Sequence, residues 1–220
     1  MIQLISVIKM QTVLINVENI LTDYVMLSID FWQKKAEEID KPLPDDFLES
    51  LLGAGIEQTE KTFFRFPHFQ QFELESTLLF EKINNQVCDD NPMIDRILQL
   101  KSMHDLRIGL IYDQRRSTVN SISDYLQQRL EPFVQLYRDD AFLGKPEANI
   151  FNKARALGKL KANDTWVLDA SKNGILSAFL ANMKGVYLDQ GLGLSERIYK
   201  YSYRNIQDID RFERLLIKRG

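Results

Sequence analysis

Short apolar runs, alternating with amphipathic stretches of helical length, constrain this chain more than any other feature. Residues 12–15 (TVLI), 106–112 (LRIGLIY), 133–137 (FVQLY), 165–169 (TWVLD) and 184–189 (KGVYLD) have the length and apolar content of buried strands. Between the later runs the period changes to that of a helix. Residues 93–103 place Ile94, Ile97, Leu98 and Met103 on one face. Residues 117–130 follow a candidate N-cap, Ser117 or Thr118. Residues 146–158 close on Gly158, and residues 174–183 end beside Asn182, a residue suited to a left-handed C-cap. Strands alternating with helices of about ten residues mean βαβ units and a parallel sheet. Right-handed crossovers then give an α/β, doubly wound, three-layer core.

The stretch from 24 to 90 breaks this rhythm. Tyr24, Leu27, Phe31 and Trp32 recur at helical spacing. KPLPDD (41–46) is a break with a helix start, and Phe47, Leu51 and Leu52 follow it. LLGAGIEQ (51–58) is a second break. The phenylalanine-rich segment from Phe63 to Phe72 leads into another helical pattern and reads as helix packing. No parallel-strand run occurs here. The expected organisation is a core made of residues 1–22 and 93–220, with a helical cap over 23–92.

Composition closes several possibilities. An apolar share of 45% allows a full core, and a net charge of −3 without long runs of one sign argues against nucleic-acid or membrane-surface partners. The opening MIQLISVIKM is apolar but lacks a cleavage signal, and it is shorter than the roughly 20 residues a bilayer span needs. Met10 is an alternative start to Met1, and a cytoplasmic location is the expectation. Cys88 is the single cysteine, so no intramolecular disulfide forms. His68 and His104 are the two histidines, and no Cys/His spacing suggests zinc.

Ligands of open α/β sheets sit outside the carboxyl ends of the strands. The strand ends Asn16, Tyr112 and Asp169, with the Gly-Lys-Pro turn at 144–146, would meet at one edge. GKPEANIFNKARALG…TWVLDASKNGILSAFLANM is similar to G-K-P-x-P-D-I-F…L-G…V-x-E-D-S-x-x-G-I-x-A-A-x-x-A-G-M of the haloacid dehalogenase superfamily, in its phosphatase and β-phosphoglucomutase-like branch. NPMIDRILQLKSMHDLRIGLIYD resembles that family's next motif region. The first motif, D-x-D-G-x-x-x-D, lies one for one on N-V-E-N-I-L-T-D.

The resemblance implies a Rossmann-like core with an inserted helical cap. It also implies roles for named residues. Asn16 stands where the family has its nucleophilic Asp, Glu18 where it has the general acid/base, and Asn19 where it has Gly; Asp23 is retained. The phosphate-binding Thr/Ser falls on Tyr112, with Asp113 beside it. Lys145 is the retained lysine that neutralises nucleophile and phosphate. The acidic pair that holds Mg²⁺ falls on Asp169 and Ala170, so Asp169 alone keeps its carboxylate.

Covalent catalysis at a carboxylate needs an ionised oxygen, and an amide oxygen is a far weaker nucleophile. Mg²⁺ is usually held by one or two carboxylates, and Asn16 and Ala170 remove two. The expectation is a degenerate phosphatase homologue without a metal cofactor, binding a small, phosphate-containing ligand or a partner. Two alternatives stand beside it: an active phosphatase-like hydrolase in which Glu18 or Asp23 covers for the lost Asp, and a non-catalytic interaction subunit. Asn16 also reads as a polar strand end that caps the next turn. Arg115 and Arg116 read as a solvated helix start. Lys145 is expected in a structural salt bridge with Glu18 or Asp169. Ligand identity and oligomeric state stay open.

Overall fold

The structure, a computed structural model, describes residues 10–44, 47–54, 68–84, 91–190 and 198–217. Strands β1 (Gln11–Asn16), β2 (Leu106–Ile111), β3 (Val134–Leu136), β4 (Thr165–Asp169), β5 (Lys184–Leu188) and β6 (Arg204–Ile206) form one parallel sheet in the order β3-β2-β1-β4-β5-β6. Side chains alternate across it, as a sheet covered on both faces requires. Val13 and Ile15 pack with α4 (Pro92–His104), α5 (Asn120–Leu130) and α8 (Ile209–Ile217). Leu14 packs on the other face, with α6 (Asn149–Gly158) and, through Ala178, α7 (Lys172–Leu180). The expected three-layer α/β core is therefore present. The sheet runs one strand beyond the five read from the sequence, and α8 closes that end.

Register places the site. Asn16 pairs with Ile111, and Ile15 with Leu168, so Asn16 and Asp169 stand level and the 112–114 turn lies just beyond them. Between β1 and β2, α1 (Tyr24–Glu38), α2 (Phe47–Leu51) and α3 (Phe69–Asn84) surround Trp32. Its ring stacks on Phe69 at 5.3 Å and meets Phe47 edge-on at 5.0 Å. Lys35 of α1 pairs with Glu75 of α3 at 2.9 Å. Phe69 and Phe72 thus serve packing, whereas Phe63, Phe64, Phe66 and Cys88 lie outside the described residues.

Two helix ends differ in outcome. Asn182 adopts φ 56°, the left-handed conformation its position suggested. The Ser117 or Thr118 cap does not form. These residues belong to a 3₁₀ turn, Arg116–Thr118, whose own backbone bonds carry the chain into α5, and the cap position falls to Val119 without a side-chain bond.

Candidate functional site

β1 ends in an amide, and both ends of that amide are engaged. Asn16 Oδ1 accepts from the Asn19 N–H at 2.8 Å, capping a wide helical turn over Val17–Leu21. Asn16 Nδ2 donates to Asp113 Oδ2 at 2.8 Å. The turn brings Asn19 beneath the same carboxylate: its Nδ2 donates to Asp113 Oδ2 at 3.1 Å and to Asp169 Oδ1 at 3.0 Å. Lys145 Nζ lies 2.8 Å from Asp113 Oδ1 and 3.0 Å from Asp169 Oδ2. Asp169 also accepts from the N–H and the hydroxyl of Ser171, both at 2.9 Å. Ser171 Oγ in turn caps α7 through the Gly174 N–H. Gly174 is required there, because a Cβ would collide with the Asp169 carboxylate.

Glu18 departs from expectation. It does not pair with Lys145; its two oxygens accept the N–H groups of Asp113 and Gln114, at 2.9 and 3.1 Å. It is fully buried, and burial first, with the Asp113 charge second, pushes its carboxyl up to about 8. Burial would depress Lys145, but the Asp113 and Asp169 carboxylates outweigh it and hold the ammonium above its usual range. Lys145 therefore stays charged between two anions, and the expected bridge to Asp169 is shared with Asp113.

Tyr112, which reads either as the phosphate-binding position or as a core side chain, packs in the core. Its ring stacks on Tyr137 at 4.8 Å and its hydroxyl donates to Gln135 at 2.8 Å, because the pleat turns residue 112 into the core behind the sheet. Asp113, the next residue, turns into the site instead. Asp23 is exposed and makes no side-chain cap bond. Arg115 and Arg116 are exposed, with Arg116 lying over the Tyr137 ring at 4.5 Å. Ala170 is fully buried, its methyl part of the apolar core.

The donor set does not fit Mg²⁺. The ion needs near-octahedral oxygen ligands, yet the Lys145 ammonium stands between the two nearest carboxylates and Asn16 Oδ1 is spent on the turn. Ala170 offers no oxygen. Among the described residues no group of three or more His, Cys, Asp or Glu is arranged to hold a metal.

The cap closes over this cluster. Asn173 Nδ2 donates to the Ser50 and Leu52 carbonyls at 3.0 and 2.8 Å, and Lys172 pairs with Glu49 at 3.0 Å. Gly53, at φ 67°, lies so close to Ser171 Oγ that a Cβ would overlap it. Beside it a shallow cleft runs between cap and core, with Trp32, Leu51, Glu73, Thr77, Asp113 and Arg138 on its walls. Sequence reasoning missed Arg138 and Ser171. Arg138 follows a strand end, Leu136-Tyr137, and that position was the available signal.

A parallel sheet in this order, a helical cap inserted after the first strand and a polar cluster at the strand ends define a haloacid dehalogenase-type fold. Three solved structures place it more narrowly. A hydrolase from Pseudomonas syringae aligns with TM-score 0.74 at 15% identity, over 96% of this chain and 99% of that one. A β-phosphoglucomutase from Clostridium difficile aligns with TM-score 0.67 at 14% identity, over 95% and 98%. A HAD hydrolase of family IA, variant 3, from Entamoeba histolytica aligns with TM-score 0.65 at 16% identity, over 94% and 100%. At such identities the likeness is one of fold. No protein-family model and no curated protein matches the sequence.

Proposed function

We propose that this chain is a haloacid dehalogenase-fold protein that has left phosphoryl transfer and holds a small ligand in the cleft between cap and core. One observation carries the reading. The Asp113 carboxylate takes donors from Asn16 and Lys145, where the family resemblance puts the nucleophile and the lysine that neutralises nucleophile and phosphate, and from Asn19. A phosphate ester arriving there would meet a fixed anion and an amide without nucleophilic character. The poor fit for Mg²⁺ supports the same reading.

One observation favours the active-hydrolase alternative. A carboxyl at about 8 is protonated at neutral pH, as a general acid must be. Against that use, both Glu18 oxygens are occupied by backbone N–H groups, which makes Glu18 the clamp that turns Asp113 inward. The deciding experiment is hydrolysis of p-nitrophenyl phosphate with and without Mg²⁺. No turnover above background is expected. Turnover that Lys145→Ala abolishes would overturn the reading.

A further inference from the structure

Arg138 follows β3, where the chain turns into the 3₁₀ segment Arg138–Asp140. Its backbone N–H is satisfied by the Gln114 carbonyl at 3.0 Å. Its guanidinium is not: Nε and Nη2 are both buried and neither has a hydrogen-bond partner. No ion pair to Arg138 forms among the described residues. Burial pulls its pKa below the ordinary range, and Glu73, Tyr24 and Asp113 act on it only through space. Arg138 is half-buried, and two buried donors left without acceptors are expensive to keep. The side chain lines the cap–core cleft and also a smaller adjoining hollow beside Lys145 and Gly144.

The two orphan donors are adjacent on one edge of the guanidinium. Two parallel N–H groups on one edge are what a planar carboxylate accepts in a bidentate pair. The side chain borders the cleft, and pairing with a carboxylate there requires this buried edge to turn into it. Charge decides between anions: with the Glu73 and Asp113 carboxylates near, a monoanion is repelled less than a phosphate dianion. The rest of the cleft is mixed, with Trp32 and Leu51 beside Ser76, Thr77 and Gln114, and suits a small body that carries both apolar and hydrogen-bonding groups.

We infer that Arg138 anchors the carboxylate of a small monocarboxylate bound between cap and core. The inference rests on the reading of the cleft as a ligand site and gives that ligand a chemical class.

The test follows the Arg138 Nε–H signal by NMR while acetate, hexanoate, phenylacetate, their neutral amides and inorganic phosphate are titrated into the intact protein. At least one of the carboxylates should shift the signal saturably at millimolar concentration, whereas the amides and phosphate should not. Arg138→Met should weaken carboxylate binding by about ten- to a hundredfold. Free of ligand, that variant should melt no lower than the parent, because two buried donors without acceptors are gone. A signal that no carboxylate moves, phosphate binding as tightly as carboxylate, undiminished binding in Arg138→Met, or a lower melting temperature for that variant would each overturn the anchor. Phosphatase turnover by the parent would instead sink the non-catalytic reading and leave the Arg138 result standing.

Discussion

Lys145 holds its charge where water hardly reaches, 5% exposed, with a carboxylate on either side. Removing one member of a buried charged set leaves the others uncompensated, which costs about 3–5 kcal/mol. Lys145→Ala should lose stability on that scale in urea unfolding, and an unchanged midpoint would contradict the pairing. Glu18 makes a different statement. Its carboxyl moves from 4.5 up to about 8 on folding. Between those values the folded protein holds a proton that the unfolded chain has released. Its contribution therefore weakens stability as pH rises through that window and is level above it. One proton gives a slope of at most about 1.4 kcal/mol per pH unit. Glu18→Gln has no proton to lose, so this part of the slope should vanish from the urea midpoints. A variant with the parent's pH dependence would refute the assignment.

At the level of elements, the clamp between α2 and α7 is the decisive contact. Asn173→Ala strips a donor from two carbonyls, those of Ser50 and Leu52, a loss of about 1–3 kcal/mol localised to the cap loop. Hydrogen exchange should speed up over residues 49–54 and stay slow in β1 and β4; unchanged exchange in the loop would count against the clamp. Elements with strong periodicity were legible beforehand: the first five strands, α4 and α7 followed from apolar runs and helical spacing. β6 was not, because Arg204-Asn-Ile is short, polar and at the sheet edge. The 3₁₀ entry to α5 is a backbone solution that leaves Ser117 with no capping task. Within the site, motif alignment found Asn16, Glu18, Asp113, Lys145 and Asp169. It could not tell which of Tyr112 and Asp113 faces inward, since one step along the pleat reverses the side chain. Arg138 carries no motif, and only the cleft around it gives it meaning.

For the molecule as a whole, strand order explains why these residues meet. Ligand crevices open where neighbouring connections leave a sheet in opposite directions, and here that point lies between β1 and β4. The framework that would support phosphoryl transfer is in place; the charges are not. Asn16→Asp, Glu18→Asp and Ala170→Asp, combined with Asp113→Thr, should give Mg²⁺-dependent hydrolysis of small phosphate esters above the level of the parent. The threonine belongs at 113 rather than 112, because Tyr112 faces the core. Ala170 is fully buried, so its replacement is the step most exposed to loss of stability. Equal activity in parent and variant would mean that other residues do the chemistry.

The inward turn of Asp113 also has a consequence for concentration. A carboxylate fixed by its own backbone, with Glu18 gripping the amides on either side of its peptide, competes for the Lys145 and asparagine donors as an intramolecular species. Well-oriented intramolecular groups act as though present at effective molarities far beyond any free solute. An anion arriving from solution, phosphate included, would have to displace that carboxylate against this advantage.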